Sequence, residues 1–304
     1  MKRSIALLML LLLLSGCSLP GLTGLQANTV KIGALTQTEA LILAHMLEIM
    51  IERETDADVE LVTHLGSSIV QHQGMLQGDL DITAARYTGT DLSGALGMDP
   101  ITDPDEALAI VEREFDEQFD QTWGPTYGFE NTYAVTITRD FAEEHHIETV
   151  SDLEPFADEL RFGVDNAWIN RKGDGYDGFQ ETYFSFGEVY PMNLGLVYEA
   201  VASGHMDAVL AYSTDGRIKE FDLKVLEDDR RFFPPYDASP VVSNGTLERF
   251  PEIVDIMERL YNQIDTEKMQ ELNYEADVLH VNPKTVAENF LKENNYFEDV
   301  KEGE

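Results

Sequence analysis

The chain has 304 residues, 57 of them acidic and 21 basic, and the resulting formal net charge of −36 excludes nucleic acid as a partner, because phosphate binding needs a basic footprint. Hydrophobic residues at 43% and aromatics at 10% supply a sizeable core and exclude a disordered acidic chain, while a single cysteine excludes a disulfide scaffold. At roughly 100–200 residues per domain, the length fits two domains or one large one.

At the amino terminus Lys2 and Arg3 precede an apolar run from Ile5 to Leu14, followed by Ser15, Gly16 and Cys17. A basic start, a short apolar run and a small-residue site read as a secretory signal over residues 1–16. The run is too short to cross a bilayer of about 30 Å as a helix. Leu14-Ser15-Gly16-Cys17 resembles a bacterial lipobox, which implies cleavage before Cys17, a lipid on its thiol and a second acyl chain for stable anchoring. The alternative is a secreted protein whose cysteine is incidental. Residues 17–28 are small and uncharged and read as a tether, so the expected location is the extracytoplasmic face of the cell membrane, lipid-anchored. A surface this acidic suits a saline exterior, where the Debye length is about 8 Å or less.

Thr29 to Leu35 alternates and is β-rich, and Thr38 to Glu52 carries Leu41, Leu43, Met46, Leu47 and Met50 at helical spacing behind a threonine cap. A strand over Val59 to Val62, a helix over Ser67 to Leu76 and a strand over Asp81 to Arg86 follow. The pattern resumes with an acidic helix from Pro104 to Gln121, strands near Thr132 to Thr138 and Leu160 to Val164, a helix around Leu194 to Ala202 and a strand from Asp207 to Tyr212. Leu247 to Phe297 reads as almost wholly helical, with Pro251 and Pro283 near helix starts. Strands alternating with helices predict a largely parallel sheet covered on both faces. The expected fold class is α/β, a two-lobed type II periplasmic-binding-protein fold with a ligand cleft between lobes. Residues 29–126 and 231–304 form lobe I and residues 127–230 lobe II.

Four tyrosines stand where predicted strands meet loops: Tyr87, Tyr133, Tyr212 and Tyr236. Ligands of open α/β sheets sit beyond strand ends, and an aromatic cage suits a quaternary ammonium group, which has no N–H to donate and is attracted to ring faces. At about 0.5–2 kcal/mol per ring, four rings could supply much of the roughly 8 kcal/mol that micromolar affinity requires. With 12 tyrosines in the chain, ordinary half-buried packing is the competing reading.

Four strings carry a more specific resemblance: Lys31-Ile-Gly-Ala-Leu-Thr-Gln37, Ala85-Arg-Tyr-Thr-Gly-Thr90, Gly163-Val-Asp-Asn-Ala-Trp-Ile-Asn-Arg-Lys-Gly-Asp-Gly-Tyr176 and Ala211-Tyr-Ser-Thr-Asp-Gly-Arg217. In them, and over essentially the whole mature chain, the protein resembles the osmoprotectant-binding lipoproteins of Gram-positive ABC importers, which bind glycine betaine, carnitine, choline and related solutes. The resemblance implies a ligand site of Tyr87, Tyr133, Tyr212 and Tyr236 with Gln37 contributing, and an ABC permease with its ATPase subunits as partners. It also implies a role for Thr90, since relatives restricted to choline carry aspartate there and those accepting carboxylated betaines carry threonine. An aspartate repels a ligand carboxylate, whereas a hydroxyl can donate to it. Capping of the following helix is a compatible role for Thr90. A binding protein of the same fold for another small solute, such as an amino acid, is the alternative; it would need a convergent Arg and Asp.

Other residues carry weaker readings. Asp215 caps a helix or lines the cleft; Asn131 and Asn166 read as surface hydrogen-bonding groups, with polar contacts in the site the alternative; Arg171, Lys172 and Arg217 as surface ion pairs rather than partners of a ligand carboxylate; Trp123 and Trp168 as packing rather than cage members. No His-Glu-x-x-His, Cys-x-x-Cys, Gly-x-Ser-x-Gly or phosphate-loop spacing is present. Neither an enzyme, a metal nor a cofactor is expected.

Overall fold

Two mixed five-stranded sheets account for the strand pattern. The computed structural model describes residues 28–166, 168–171 and 175–297; the expected signal, Cys17, the tether up to residue 27 and Lys172 lie outside them. The first sheet runs β2-β1-β3-β10-β4, from β1 (Thr29–Leu35), β2 (Asp58–Leu65), β3 (Ile82–Tyr87), β4 (Gln121–Trp123) and β10 (Ala238–Ser243). The second runs β7-β6-β8-β5-β9, from β5 (Tyr133–Thr138), β6 (Arg161–Asp165), β7 (Glu188–Met192), β8 (Ala208–Tyr212) and β9 (Leu223–Val225).

The parallel expectation holds for β2-β1-β3 and β7-β6-β8 and needs correction at one strand of each sheet. β10 runs antiparallel to β3 and β4, and β5 antiparallel to β8 and β9. Each is the first strand after the chain crosses between sheets. A direct crossing enters at the edge just left, without the helical return that a parallel strand requires, so both strands point away from the place where the sheets meet.

Helices cover the sheets: α1 (Thr38–Glu54), α2 (Ser68–Gln77), α3 (Thr88–Gly94) and α4 (Pro104–Phe119) with the first; α5 (Arg139–His145), α6 (Tyr176–Thr182), α7 (Leu194–Ala202) and α8 (Arg217–Glu220) with the second; then α9 (Asn244–Arg249), α10 (Glu252–Leu260), α11 (Thr266–Asn273) and α12 (Pro283–Glu293) returning to the first. Their ends follow local chemistry. Ser67 Oγ accepts from the Val70 N–H at 3.3 Å and Gly78 closes α2 at φ 73°. Asp103 caps α4 through the Glu106 N–H at 3.0 Å. The threonine cap expected for α1 is corrected: Gln37 is the N-cap without a side-chain bond, and the Thr38 hydroxyl donates instead to Asp277 Oδ1 at 2.6 Å. α1 buries Leu43, Met46, Leu47 and Met50 in a core with Val30, Ile32 and Ile82, whereas Val135, Ile137, Phe162 and Phe179 centre a separate core on the second sheet. No helix among the described residues is long and apolar enough to cross a membrane.

Candidate functional site

Three of the four tyrosines singled out in the sequence stand at strand ends, and the fourth, Tyr236, lies on the second crossing just before β10. Tyr87 ends β3 and Tyr212 ends β8. Tyr133 opens β5, which runs against β8 with Tyr133 opposite Tyr212. Tyr236 lies two residues before Ala238, the β10 residue opposite Tyr87.

Two of them are in ring contact. Tyr133 and Tyr212 stack with ring centroids 5.0 Å apart, planes 22° from parallel and hydroxyl oxygens 3.5 Å apart. The Arg171 guanidinium lies 5.7 Å from the Tyr133 ring centroid. Burial first, then the Tyr212 phenol, raises the Tyr133 phenol above the ordinary tyrosine range, so the ring stays neutral at any physiological pH. On the first sheet Tyr87 is 8% exposed, and its hydroxyl donates to Glu39 Oε1. Burial, then the Glu39 carboxylate, holds its phenol well above the usual value. Tyr236 is positioned by backbone: the Gly89 N–H donates to the Pro235 carbonyl at 2.9 Å and the Thr88 N–H to the Asp237 carbonyl at 3.2 Å. A Cβ at Gly89 would stand 2.6 Å from that Pro235 oxygen and 3.2 Å from Tyr236 Cε1, so only glycine permits this approach.

Thr90 follows within α3. It is not the cap, a place held by Tyr87 without a side-chain bond, and its carbonyl accepts from Ser93 Oγ at 3.3 Å. The buried pair Arg86–Asp91, with Nε donating to Oδ2 at 2.8 Å, pins α3 to the end of β3 and so orients Thr90. Gln37 is exposed and lines a cavity of about 230 Å³ with Glu39, Asn131, Tyr212 and Thr214. Tyr133 lines a separate cavity of about 670 Å³ with Thr132, Phe233 and Pro235. Tyr87, Tyr236 and Thr90 are not among the residues lining either.

Sequence reading missed Glu39. Its side chain is buried in the first turn of α1, Oε1 accepting from Asn131 Nδ2 at 2.6 Å as well as from Tyr87, and Oε2 from Thr214 Oγ1 at 2.7 Å. An acidic residue in a first helical turn is ordinary, which is why nothing marked it. Asn131 is therefore corrected from a surface group to part of this junction. Asp215 does two things: it lines the smaller cavity and accepts from the Arg217 N–H at 3.0 Å at the start of α8. Arg217 makes the expected ion pair with Asp215, Nη2 to Oδ2 at 2.6 Å. Trp123 and Trp168 are buried packing residues. Among the described residues no three His, Cys, Asp or Glu side chains are grouped to hold a metal ion.

The arrangement offers neutral aromatic faces, hydroxyls and amides at strand ends. Over residues 28–293 the chain matches the family described as the substrate binding domain of the ABC-type glycine betaine transport system. It belongs to that family. Among relatives of this substrate-binding family, the carnitine transport binding protein OpuCC of Listeria monocytogenes is 50% identical over 303 residues, covering 98% of each chain. The glycine-betaine-binding protein of Pseudomonas aeruginosa is 33% identical, covering 92% of each. A crystal structure described as a glycine betaine/carnitine/choline ABC transporter superposes with a TM-score of 0.86 at 48% identity, covering 88% of this chain and 99% of the other. As a member of the family, the chain is a solute-binding component of an ABC transport system.

Proposed function

We propose that this protein captures quaternary ammonium compatible solutes, glycine betaine, carnitine and choline among them, in a cage of Tyr87, Tyr133, Tyr212 and Tyr236 and delivers them to an ABC permease. The observation that carries the reading is the stack of Tyr133 on Tyr212 across β5 and β8, with Tyr87 at the end of β3 and Tyr236 two residues before the β10 residue that pairs with it. A methylated ammonium gains most from ring faces and loses little hydration on leaving water. The names of the Listeria and Pseudomonas relatives, which specify carnitine and glycine betaine, support the same class. Thr90 and Gln37 supply donors for a ligand carboxylate, so carboxylated betaines bind and not choline alone.

Residues 29–126 with 231–304 form one lobe and 127–230 the other, hinged at the crossings. Ligand drives closure only by fitting the closed arrangement better, and no bond is made or broken. Cys17 carries the lipid that holds the protein at the extracytoplasmic face. Titration calorimetry with glycine betaine, carnitine and choline tests the assignment. Binding of choline alone overturns the role of Thr90, and binding of none overturns the ligand class. Small-angle scattering is expected to record compaction on addition of glycine betaine.

A further inference from the structure

Glu39 occupies a place that four phenols around a cation do not by themselves require. It is 2% exposed, and its two oxygens take donors from three other parts of the chain. Oε1 accepts from the Tyr87 hydroxyl at the end of β3 and from Asn131 Nδ2 on the first crossing, and Oε2 from Thr214 Oγ1, two residues beyond Tyr212 on the second lobe. A buried carboxylate persists only where hydrogen bonds or a helix amino terminus compensate its lost hydration; here three donors and the first turn of α1 do so together. The segment after Tyr212 is also held by α11, with Gln270 Nε2 donating to the Ser213 carbonyl at 2.6 Å and Asn273 Nδ2 to the Thr214 carbonyl at 2.8 Å. Unlike those two amides, Glu39 also touches a cage tyrosine.

We propose that Glu39 is the positioning residue of the site: its one carboxylate sets the Tyr87 ring on the first lobe and draws the segment behind Tyr212 toward it, so the two halves of the cage assemble together. The inference rests on the cage reading above. Apparent affinity scales with the fraction of molecules whose site is assembled, so each arm of Glu39 contributes to binding through the segments it holds in place.

The test is titration of the protein with glycine betaine for Glu39→Ala, Glu39→Gln, Thr214→Val and the Glu39→Ala/Thr214→Val double variant. Glu39→Ala is expected to weaken binding about tenfold or more, the equivalent of one hydrogen bond to a charged group. Glu39→Gln recovers most of the loss, because its carbonyl still accepts from Tyr87 and Asn131 and its amide can donate to the Thr214 hydroxyl. Thr214→Val, which leaves every cage ring intact, weakens binding several-fold, and this effect disappears in the Glu39→Ala background. If Glu39→Ala does not fold, Thr214→Val and Glu39→Gln decide. Wild-type affinity in Thr214→Val, additive losses in the double variant, or a glutamine variant as weak as the alanine one overturns the positioning role. Failure of the unaltered protein to bind any quaternary ammonium solute overturns the cage reading and this inference with it, an outcome distinct from the other three.

Discussion

Tyr133 and Tyr212 stand opposite each other on antiparallel strands, and their rings stack at 5.0 Å because β5 and β8 place both side chains at one register position. The stack is a cross-strand pair, in which each ring packs on the other.

Removing either ring is therefore expected to cost more than the other can replace. Tyr133→Ala and Tyr212→Ala each lower glycine betaine affinity by about 0.5–2 kcal/mol, and the double variant departs from additivity because the rings are in contact. Tyr→Phe variants retain most of the binding, since the attraction comes from the ring face. Calorimetry on the four variants and the double checks this; alanine variants that bind like the parent count against the cage.

The Arg86–Asp91 pair is 1% exposed on both sides and joins β3 to α3. Asp91→Ala strands the guanidinium in the core, and breaking such a pair costs about 3–5 kcal/mol. Urea denaturation should register that loss, whereas a midpoint unchanged from the parent contradicts it.

Gly216 packs its backbone on the beginning of the π-helical turn Tyr274–Val278, where an added Cβ would meet Tyr274 N at 2.5 Å and Tyr274 Cα at 2.7 Å. Backbone cannot swing aside as a side chain can, so Gly216→Ala is expected to cost about 1–3 kcal/mol by overpacking. Because the displaced segment follows Tyr212, ligand affinity falls as well. Thermal melting and calorimetry on the same variant measure both effects, and a variant matching the parent in both contradicts the contact.

Asp237 lies on the second crossing and forms an isolated β-bridge with Glu130 on the first. Burial above all, with the charge of Asp105 adding to it, raises its carboxyl above the ordinary range. A carboxyl whose folded pKa exceeds its unfolded value favours the fold fully below the unfolded pKa, and that contribution is lost as pH rises through the folded pKa. Asp237→Asn never ionises, so it is expected to melt higher than the parent at neutral pH. The two should converge at about pH 3, where the parent carboxyl is protonated in both states. A variant that melts lower than the parent at neutral pH refutes the assignment.

Much of the fold is legible in the chain because its signals are local. Helical spacing marks α1 and α7, the Ser67 and Asp103 caps mark α2 and α4, and alternation marks β1. The strands β4, β7, β9 and β10 were not legible, since β4 and β9 are three residues long, β7 is largely exposed and contains Pro191, and β10 contains Pro240. The reversed direction of β5 and β10 depends on where the chain crosses between sheets, which no period encodes.

The sequence by itself determined the α/β class, the alternation of elements and the tyrosines at or beside strand ends, because strand ends and ring chemistry are properties of short segments. Only the tertiary structure decided that Tyr133 and Tyr212 stack, that α3 is locked by Arg86 and Asp91, and that Glu39 gathers Tyr87, Asn131 and Thr214. Those three donors lie 48, 92 and 175 positions from Glu39 along the chain. A buried carboxylate is satisfied by whichever donors the packed backbone brings within reach, and that reach is set by two sheets meeting, not by neighbours in sequence.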